Sequence, residues 1–384
     1  MIPLSIPNIS GNEWQYVKDC LDTGWISSVG SYVNLFEEKI AAFTGAKYAV
    51  ATMNGTAALH LSLQLAGVGS GDHVIVPNIT FVASCNAVKY CGADPIFIDV
   101  CPDTWQMDLE LLEEFLCKYT YSIGEYNQDG EEVFYTANHF TNRKIAAIMP
   151  VHVLGNMANM NRLKDICRQY NLTIVEDSTE ALGSYFGQKH AGTFGLLGTF
   201  SFNGNKIIST GGGGMIITDD ESLAKRAKHL TTQAKTDPFE YHHDETGYNY
   251  RLVNILAAVG VAQMEQLPKF LERKKAIDQY YREHLECDHL HFQEITEGCT
   301  PNNWLHTMKV TDQKGMIKHL LSNDIQCRPF WVPMNQLPMH KTYLYYQHRD
   351  ISNEVYNSCI SIPSSTNLTD AQVEEVVRVI LSFK

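Results

Sequence analysis

Two hydrophobic periods take turns along this chain. Residues 12–21 set Trp14, Val17 and Leu21 at a spacing near 3.6 among polar neighbours, which predicts a helix; residues 32–44 resume one that Gly45 stops. Short apolar runs follow at 47–51, 73–77, 95–100, 145–152, 172–176 and 215–218. Each has the length of a strand, and 145–152 is continuous, as in strands buried on both faces. Helical patterns fill the intervals at 57–66, from near Ala83, and at 109–117, 160–170 and 221–230. Strand and helix alternating in this order predict an α/β fold, a large doubly wound, mostly parallel sheet with right-handed crossovers.

The pattern changes after residue 252. A helix is predicted over 253–267, and Pro268 is expected to begin a second, long one over 269–285 that leads into a smaller C-terminal α+β domain. Beyond it, 304–310, 316–321 and 326–328 read as strand, helix and strand, and 371–383 as a last helix. The expected division is 1–265 for the large domain and 266–384 for the small one. Residues 119–144 interrupt the alternation with a polar sequence sprinkled with tyrosine and phenylalanine. Aromatic residues are poor formers of disorder, so an ordered surface insertion is expected, with a hairpin of residues 131–135 and a partner near Phe140.

Composition narrows the classes of function. The 384 residues are 44% hydrophobic and 19% charged, enough to bury a sizeable core. A net charge of -13 argues against a nucleic-acid or membrane-surface binder, although a local pocket in an acidic protein is free to be positive. The ten cysteines form no C-x-x-C and no H-E-x-x-H is present, so reduced thiols and no metal site are expected. No apolar run approaches the ~20 residues of a membrane span, and Met1 to Ser10 lacks a signal-peptide core. A cytoplasmic location is the default expectation.

One stretch concentrates the candidate chemistry. In FSFNGNKIISTGGGGM, from Phe200 to Met215, a polar turn delivers one lysine, Lys206, and then four glycines, Gly211 to Gly214. Backbone without side chains approaches its neighbours closely or adopts positive φ. Upstream, Asp177 follows the run 172–176, at the strand end where an open α/β sheet presents groups to a ligand. A lysine and an aspartate so placed suit pyridoxal 5'-phosphate (PLP). This cofactor takes an amine for its aldehyde, an acid for its pyridine nitrogen and a cradle for its phosphate. A carboxylate about 4 Å from a protonated nitrogen, at an effective dielectric near 20, contributes roughly 4 kcal/mol, or about three pKa units. Lys206 and Asp177 are the candidates. Asn54-Gly55-Thr56 precedes the helix at 57–66, whose first N–H groups, with the Thr56 hydroxyl, suit a phosphate dianion. Each part also has a plainer reading: a glycine-rich hairpin beside a solvated lysine, and Thr56 as an ordinary N-cap.

Several blocks in order carry more than any one of them. DTGWISSVGSYVNLFEEKIAAFTGAKYAVATMNGTAAL, GDHVIVPNITFVAS, PIFIDV, IMPVHVLG, VEDSTEALGS, the stretch around Lys206, GYNYRLVNILAAVG and RPFWVPM span nearly the whole chain. In these it resembles the DegT/DnrJ/EryC1/StrS sugar aminotransferases, a group of fold type I PLP enzymes. The GNK with four glycines, Glu180 three after Asp177 and the insert after Lys118 look most like one branch of that group. That branch aminates C4 of UDP-linked 4-keto-6-deoxy-N-acetylhexosamines, on routes to legionaminic acid or bacillosamine.

The resemblance implies PLP as cofactor, L-glutamate as amino donor and a nucleotide-linked keto sugar as acceptor, in a homodimer that shares its active sites. It implies Gly55, Thr56, Ala57, Ser201 and Asn249 at the phosphate, with Asn249 supplied by the neighbouring subunit. Phe81 is expected to stack on the ring, Glu180 to lie over its face, and Trp25, Ser27, Arg328 and Trp331 to face substrate. His152 is expected either near the cofactor edge or as a satisfied structural histidine. Two further readings stay open: a dTDP- or GDP-linked acceptor with a 3- or 4-keto group, and a regulator that binds a nucleotide sugar without turnover. A dehydratase on the same scaffold is expected to carry histidine where this chain has Lys206.

Overall fold

The computed structural model describes residues 1–126, 130–237 and 239–383. Its centre is an eight-stranded sheet in the order Tyr48–Thr52, Gly214–Thr218, Leu197–Ser201, Thr173–Asp177, Ile145–Ile148, His73–Pro77, Asp94–Ile98, Tyr345–Tyr346. From Leu197–Ser201 to Tyr345–Tyr346 every neighbouring pair is parallel. Gly214–Thr218 runs antiparallel to both its neighbours, because the segment joining it to Leu197–Ser201 carries no crossover helix. Apolar clusters cover both faces: one holds Val50, Val76, Phe200 and Met215, the other Ile75, Ile98, Ile148 and Ile174. Adjacent strand residues such as Ile75 and Val76 thus enter opposite cores, which is why the strands read as unbroken apolar runs.

The run at 145–152 yields a shorter strand than its hydrophobicity predicts. Ile145–Ile148 ends before Pro150, which has no N–H for a ladder, although the Pro150 carbonyl still accepts from Asp177 N at 3.0 Å. The insertion also pairs differently. Glu132–Asn138 lies antiparallel to Thr120–Tyr126, which grows directly out of the helix Leu109–Tyr119; on the side of Phe140 only its end pairs, in a bridge from Ala137 to Lys144. Phe140 instead stacks on Tyr119 with ring centroids 5.2 Å apart. Residues 127–129 of this insertion lie outside the described residues.

Pro268 does not begin a helix. It lies inside one 32-residue helix, Asn254–Leu285, which replaces the two predicted from the sequence. Proline removes one backbone bond and crowds the preceding turn, but Leu267 and Phe270 on either side are buried in the main core, and that packing carries the helix through. Further along, Ile277, Tyr281 and Leu285 enter a separate C-terminal core, beneath the antiparallel sheet Leu290–Phe292, His306–Val310, Cys359–Ile362, Arg328–Pro329. Helices Gln313–Ser322 and Asp370–Leu381 contribute to that core, the latter started by a capping box between Thr369 and Gln372.

Elements cross the expected 265/266 division in both directions. Ile2 donates to the Asp324 carbonyl at 2.7 Å, and its own carbonyl accepts from Gln326 N at 2.9 Å. Tyr345–Tyr346 joins the large sheet beside Asp94–Ile98.

The glycine run holds the sheet against the next element. Gly211 and Gly213 adopt positive φ, and a Cβ on Gly214 would stand 2.5 Å from the Asn54 carbonyl carbon, at the start of the helix Gly55–Leu65. Gly214→Ala is therefore expected to lower the unfolding free energy in urea by about 1–3 kcal/mol. Gly204→Ala, where a Cβ meets open space, is expected to change it by less than about 0.5 kcal/mol.

Candidate active site

Strand ends and the C-terminal sheet enclose a cavity of about 370 Å³. The parallel strand Thr173–Asp177 delivers Asp177 to its floor, buried at 2% exposure. Ser84 Oγ, from the start of the helix Ala83–Tyr90, donates to Asp177 Oδ2 at 2.7 Å. The other oxygen accepts from Thr179 Oγ1 at 2.7 Å and Thr179 N at 3.2 Å. The carboxylate is thus fixed in orientation by three donors from two elements.

The turn after Leu197–Ser201 supplies the amine. Lys206 N donates to the Asn203 carbonyl at 3.0 Å, and its side chain runs inward, leaving Nζ 3.6 Å from Glu180 Oε1. The Trp304 ring centroid lies 3.7 Å from the same Nζ. Burial drives the Lys206 amine below its ordinary pKa, while the charges of Glu180 and then Asp177 pull the other way. Glu180 is 4% exposed and its Oε2 accepts from Leu154 N at 2.9 Å. Burial pushes its carboxyl up to about 7, with the Lys206 charge opposing. A desolvated cation over an indole face gains about 2 kcal/mol, so Trp304 also opposes the loss of charge.

At the far side the helix Gly55–Leu65 points its N-terminus into the cavity. Gly55 fits because a Cβ there would stand 2.8 Å from Ser201 Cβ. Asn54 caps the helix, its Oδ1 accepting from Ala57 N at 2.8 Å. Gly55 and Thr56 line the cavity; Ala57, its N–H engaged by the cap, stands behind them.

The structure brings together Gly55, Thr56, Phe81, Asp177, Glu180, Ser201, Lys206, Arg328 and Trp331, all of which line this one cavity. Phe81 and Trp331 meet edge to face with centroids 6.5 Å apart, and Trp331 stacks on Trp304 at 6.4 Å. Three expected residues lie elsewhere. Trp25 lines a separate open depression with Tyr32 and Asn254. Ser27 is exposed, its carbonyl accepting from Asn254 N at 2.7 Å, and Asn249 is exposed in a bridge to Thr232. His152 turns away from the cavity: its Nε2 sits 2.9 Å from Glu176 Oε2, both side chains fully buried. At the surface His229, Asp244 and Glu245 bring potential ligand atoms within 4.8 Å of one another, but Arg226 already engages both oxygens of Glu245.

Sequence reasoning missed Ser84, Thr179 and Trp304. Only Thr179 had a local signal, a hydroxyl two residues after the acid; Ser84 and Trp304 arrive from elements 93 and 98 positions away from the groups they touch.

Glu180 sets a pH dependence of stability. An acid whose folded pKa is raised contributes stability below its unfolded value and loses it as pH rises through the folded one. With burial moving Glu180 from 4.5 to about 7, the cofactor-free protein should lose up to about 3 kcal/mol relative to Glu180→Gln across that interval. Urea unfolding of both proteins at pH 5 and pH 8 measures this. A difference that does not change with pH would contradict it.

Known proteins resemble this chain over almost its whole length. Residues 7–381 match the DegT/DnrJ/EryC1/StrS aminotransferase family. GDP-perosamine synthase from Escherichia coli O157:H7 is 36% identical over 385 residues, covering 100% of this chain and 98% of that protein. GDP-perosamine synthase from Vibrio cholerae is 34% identical over 389 residues, covering 100% and 99%. Spr1654 from Streptococcus pneumoniae, in its PLP-form, superposes with a TM-score of 0.86 at 26% identity over 99% of this chain and 97% of that one. The two synthases are named for a GDP-linked sugar, not for the UDP-linked acceptor that the sequence motifs suggest. Buried amine, oriented acid and helix N-terminus therefore stand in a chain that belongs to the DegT/DnrJ/EryC1/StrS aminotransferase family, PLP-dependent enzymes that aminate nucleotide sugars.

Proposed function

We propose that this enzyme moves an amino group from L-glutamate to C4 of a nucleotide-linked 4-keto-deoxy sugar, with Lys206 as the amine that holds PLP and shuttles the proton. The observation that carries this reading is the Lys206 amine, its side chain only 13% exposed, in one cavity with Asp177 and a helix N-terminus. The residues present fit the cofactor. A lysine with a lowered pKa is a competent nucleophile, the oriented Asp177 suits a pyridine nitrogen, and Gly55 and Thr56, with Ser201 beside them, suit a phosphate. When bound, PLP supplies an electron sink for the carbon that loses its proton.

The protein's own work is then positioning and proton transfer. In the first half-reaction Lys206 Nζ would take the proton from the donor carbon and pass it on before the 2-oxo acid leaves; in the second it would carry a proton the opposite way, to the sugar carbon. An amine whose pKa burial has lowered gives up and takes back a proton more evenly than a solvated lysine, and so serves in both directions. Asp177 would face the pyridine nitrogen, its own position fixed by Ser84 and Thr179. Phe81 and Trp331 offer an aromatic wall, and Arg328 a cation at the mouth for the donor carboxylate or the sugar pyrophosphate. Asn249, exposed and away from its own cavity, suits a shared site in which it reaches the phosphate of a second subunit. Trp25 and Ser27 belong to the same reading, at the substrate mouth.

The names of the two synthases favour a GDP-linked acceptor. The GNK with four glycines and Glu180 favour a second reading, a UDP-linked 4-keto-6-deoxy-N-acetylhexosamine. Incubation with glutamate and GDP-, UDP- and dTDP-linked keto sugars, with products weighed by mass spectrometry, separates them. Amination of none of these while glutamate is turned over to its 2-oxo acid would contradict the proposal. Lys206→Ala is expected to lose the cofactor-dependent absorbance near the visible edge and at least about 10³-fold in turnover. A retained band would remove Lys206 from its role.

A further inference from the structure

Trp304 is 3% exposed, and its ring lies in the cavity wall with Nζ of Lys206 at 3.7 Å from the centroid. Its polar edge is turned elsewhere: the indole N–H donates to the Asn205 carbonyl at 2.6 Å, one residue before Lys206. The backbone is held on both sides. Trp304 N donates to Asn302 Oδ1 at 3.0 Å, while Asn302 Nδ2 donates to the Glu180 and Leu182 carbonyls at 2.8 and 2.9 Å. The Trp304 carbonyl accepts from Lys274 Nζ at 2.6 Å, and the same ammonium donates to the Ser364 carbonyl. Lys274 itself is 3% exposed, on the helix Asn254–Leu285. Side chain, amide and carbonyl of one tryptophan are thus each tied down, and the face left free is the one beneath the amine.

A residue that only filled the core would not need this. Three polar anchors from three chain segments fix the plane of the ring and not merely its volume. A freed lysine has four rotatable bonds, and each half-reaction requires its nitrogen to remain within reach of both the carbon that gives the proton and the one that takes it. An indole face attracts an ammonium and tolerates a neutral amine, so it holds the nitrogen in both protonation states without donating to it or accepting a proton from it.

We infer that Trp304 is a further active-site residue, an aromatic seat that keeps the Lys206 amine in place between its proton transfers. This rests on Lys206 being the reacting amine. The groups that face that amine are Glu180 at 3.6 Å, Asp177 and the Trp304 ring, so the seat is the uncharged member of the set.

Two substitutions separate the face from the volume. Trp304→Phe keeps a π face and loses the indole N–H; Trp304→Leu keeps apolar bulk and loses the face. In the PLP-loaded enzyme, Trp304→Leu is expected to lower kcat at least about tenfold, with KM for donor and sugar within about threefold, while Trp304→Phe keeps about a third or more of kcat. In the cofactor-free protein, acetylation of Lys206 by a small amine-reactive ester, followed by peptide mass spectrometry, is expected to run several-fold faster in Trp304→Leu and near the original rate in Trp304→Phe. Thermal melting checks that both variants fold. If Trp304→Leu does not fold, the inference stands or falls with Trp304→Phe, whose loss of most kcat or faster acetylation would overturn it. Equal kcat and equal acetylation in both variants, with Lys206→Ala inactive, overturns the seat alone. An active Lys206→Ala overturns the seat and the reading beneath it.

Discussion

An amine removed from water and set 3.6 Å from a buried carboxylate is the constraint around which this molecule is arranged. Burial alone would strip the charge from both Lys206 and Glu180, and their mutual attraction restores part of it. The outcome is an amine held below its ordinary pKa beside a carboxyl raised above its own, a useful condition for a group that must give and take a proton. Such a pair tolerates little motion, because Coulomb energy in a poorly solvated site changes steeply with distance. Much of the surrounding structure restricts that motion. Leu154 N holds one oxygen of Glu180, Asn302 ties the Glu180 backbone to the Trp304 segment, and Trp304 ties back to Asn205.

The cavity depends on the main core and on the C-terminal core. Asp177, Ser201 and Gly55 come from the large sheet and its first helix, whereas Trp304, Leu305, Arg328 to Trp331 and Ser361 come from the C-terminal part. Leu4 lines it as well, from an N-terminal segment whose carbonyl accepts from Ser364 N at 2.7 Å. The unbroken helix Asn254–Leu285 runs through both cores and presents Lys274 between them. A change in how the two parts pack would therefore be felt at the amine before it was felt at Asp177, whose three donors all come from the large-sheet side.

The sheet was legible because its strands are short, apolar and punctuated. His73–Pro77 follows its sequence reading residue for residue, and the parallel alternation followed from helices between strands. Misreadings arose where a local rule met tertiary packing. Pro268 signals a helix start, yet Leu267 and Phe270 are packed well enough to carry a helix past it. Residues 149–152 are as apolar as a strand, yet Pro150 interrupts the ladder, and Val151 rejoins it only as an isolated bridge to Asp177. The hairpin partner was placed after Glu132–Asn138 when the helix Leu109–Tyr119 delivers it before. At the site, Lys206, Asp177 and the Gly55-Thr56 turn were legible because each sits next to a strand or helix end with its own signal. Ser84 and Trp304 were not, since a hydroxyl or an indole far away in sequence announces nothing until the fold brings it near. Trp25, Ser27 and Asn249 were named from family resemblance, and within one chain they stand apart from the cavity.

All of this turns on which lysine binds the cofactor. Lys274 is buried and Lys206 nearly so, both with lowered pKa values, so among the described residues two amines are chemically able to do it. Reducing the PLP-loaded enzyme with borohydride and mapping the modified peptide by mass spectrometry decides between them. The account predicts one reduced cofactor per chain, on the peptide that contains Lys206. Label on Lys274, on a surface lysine or on none would contradict it.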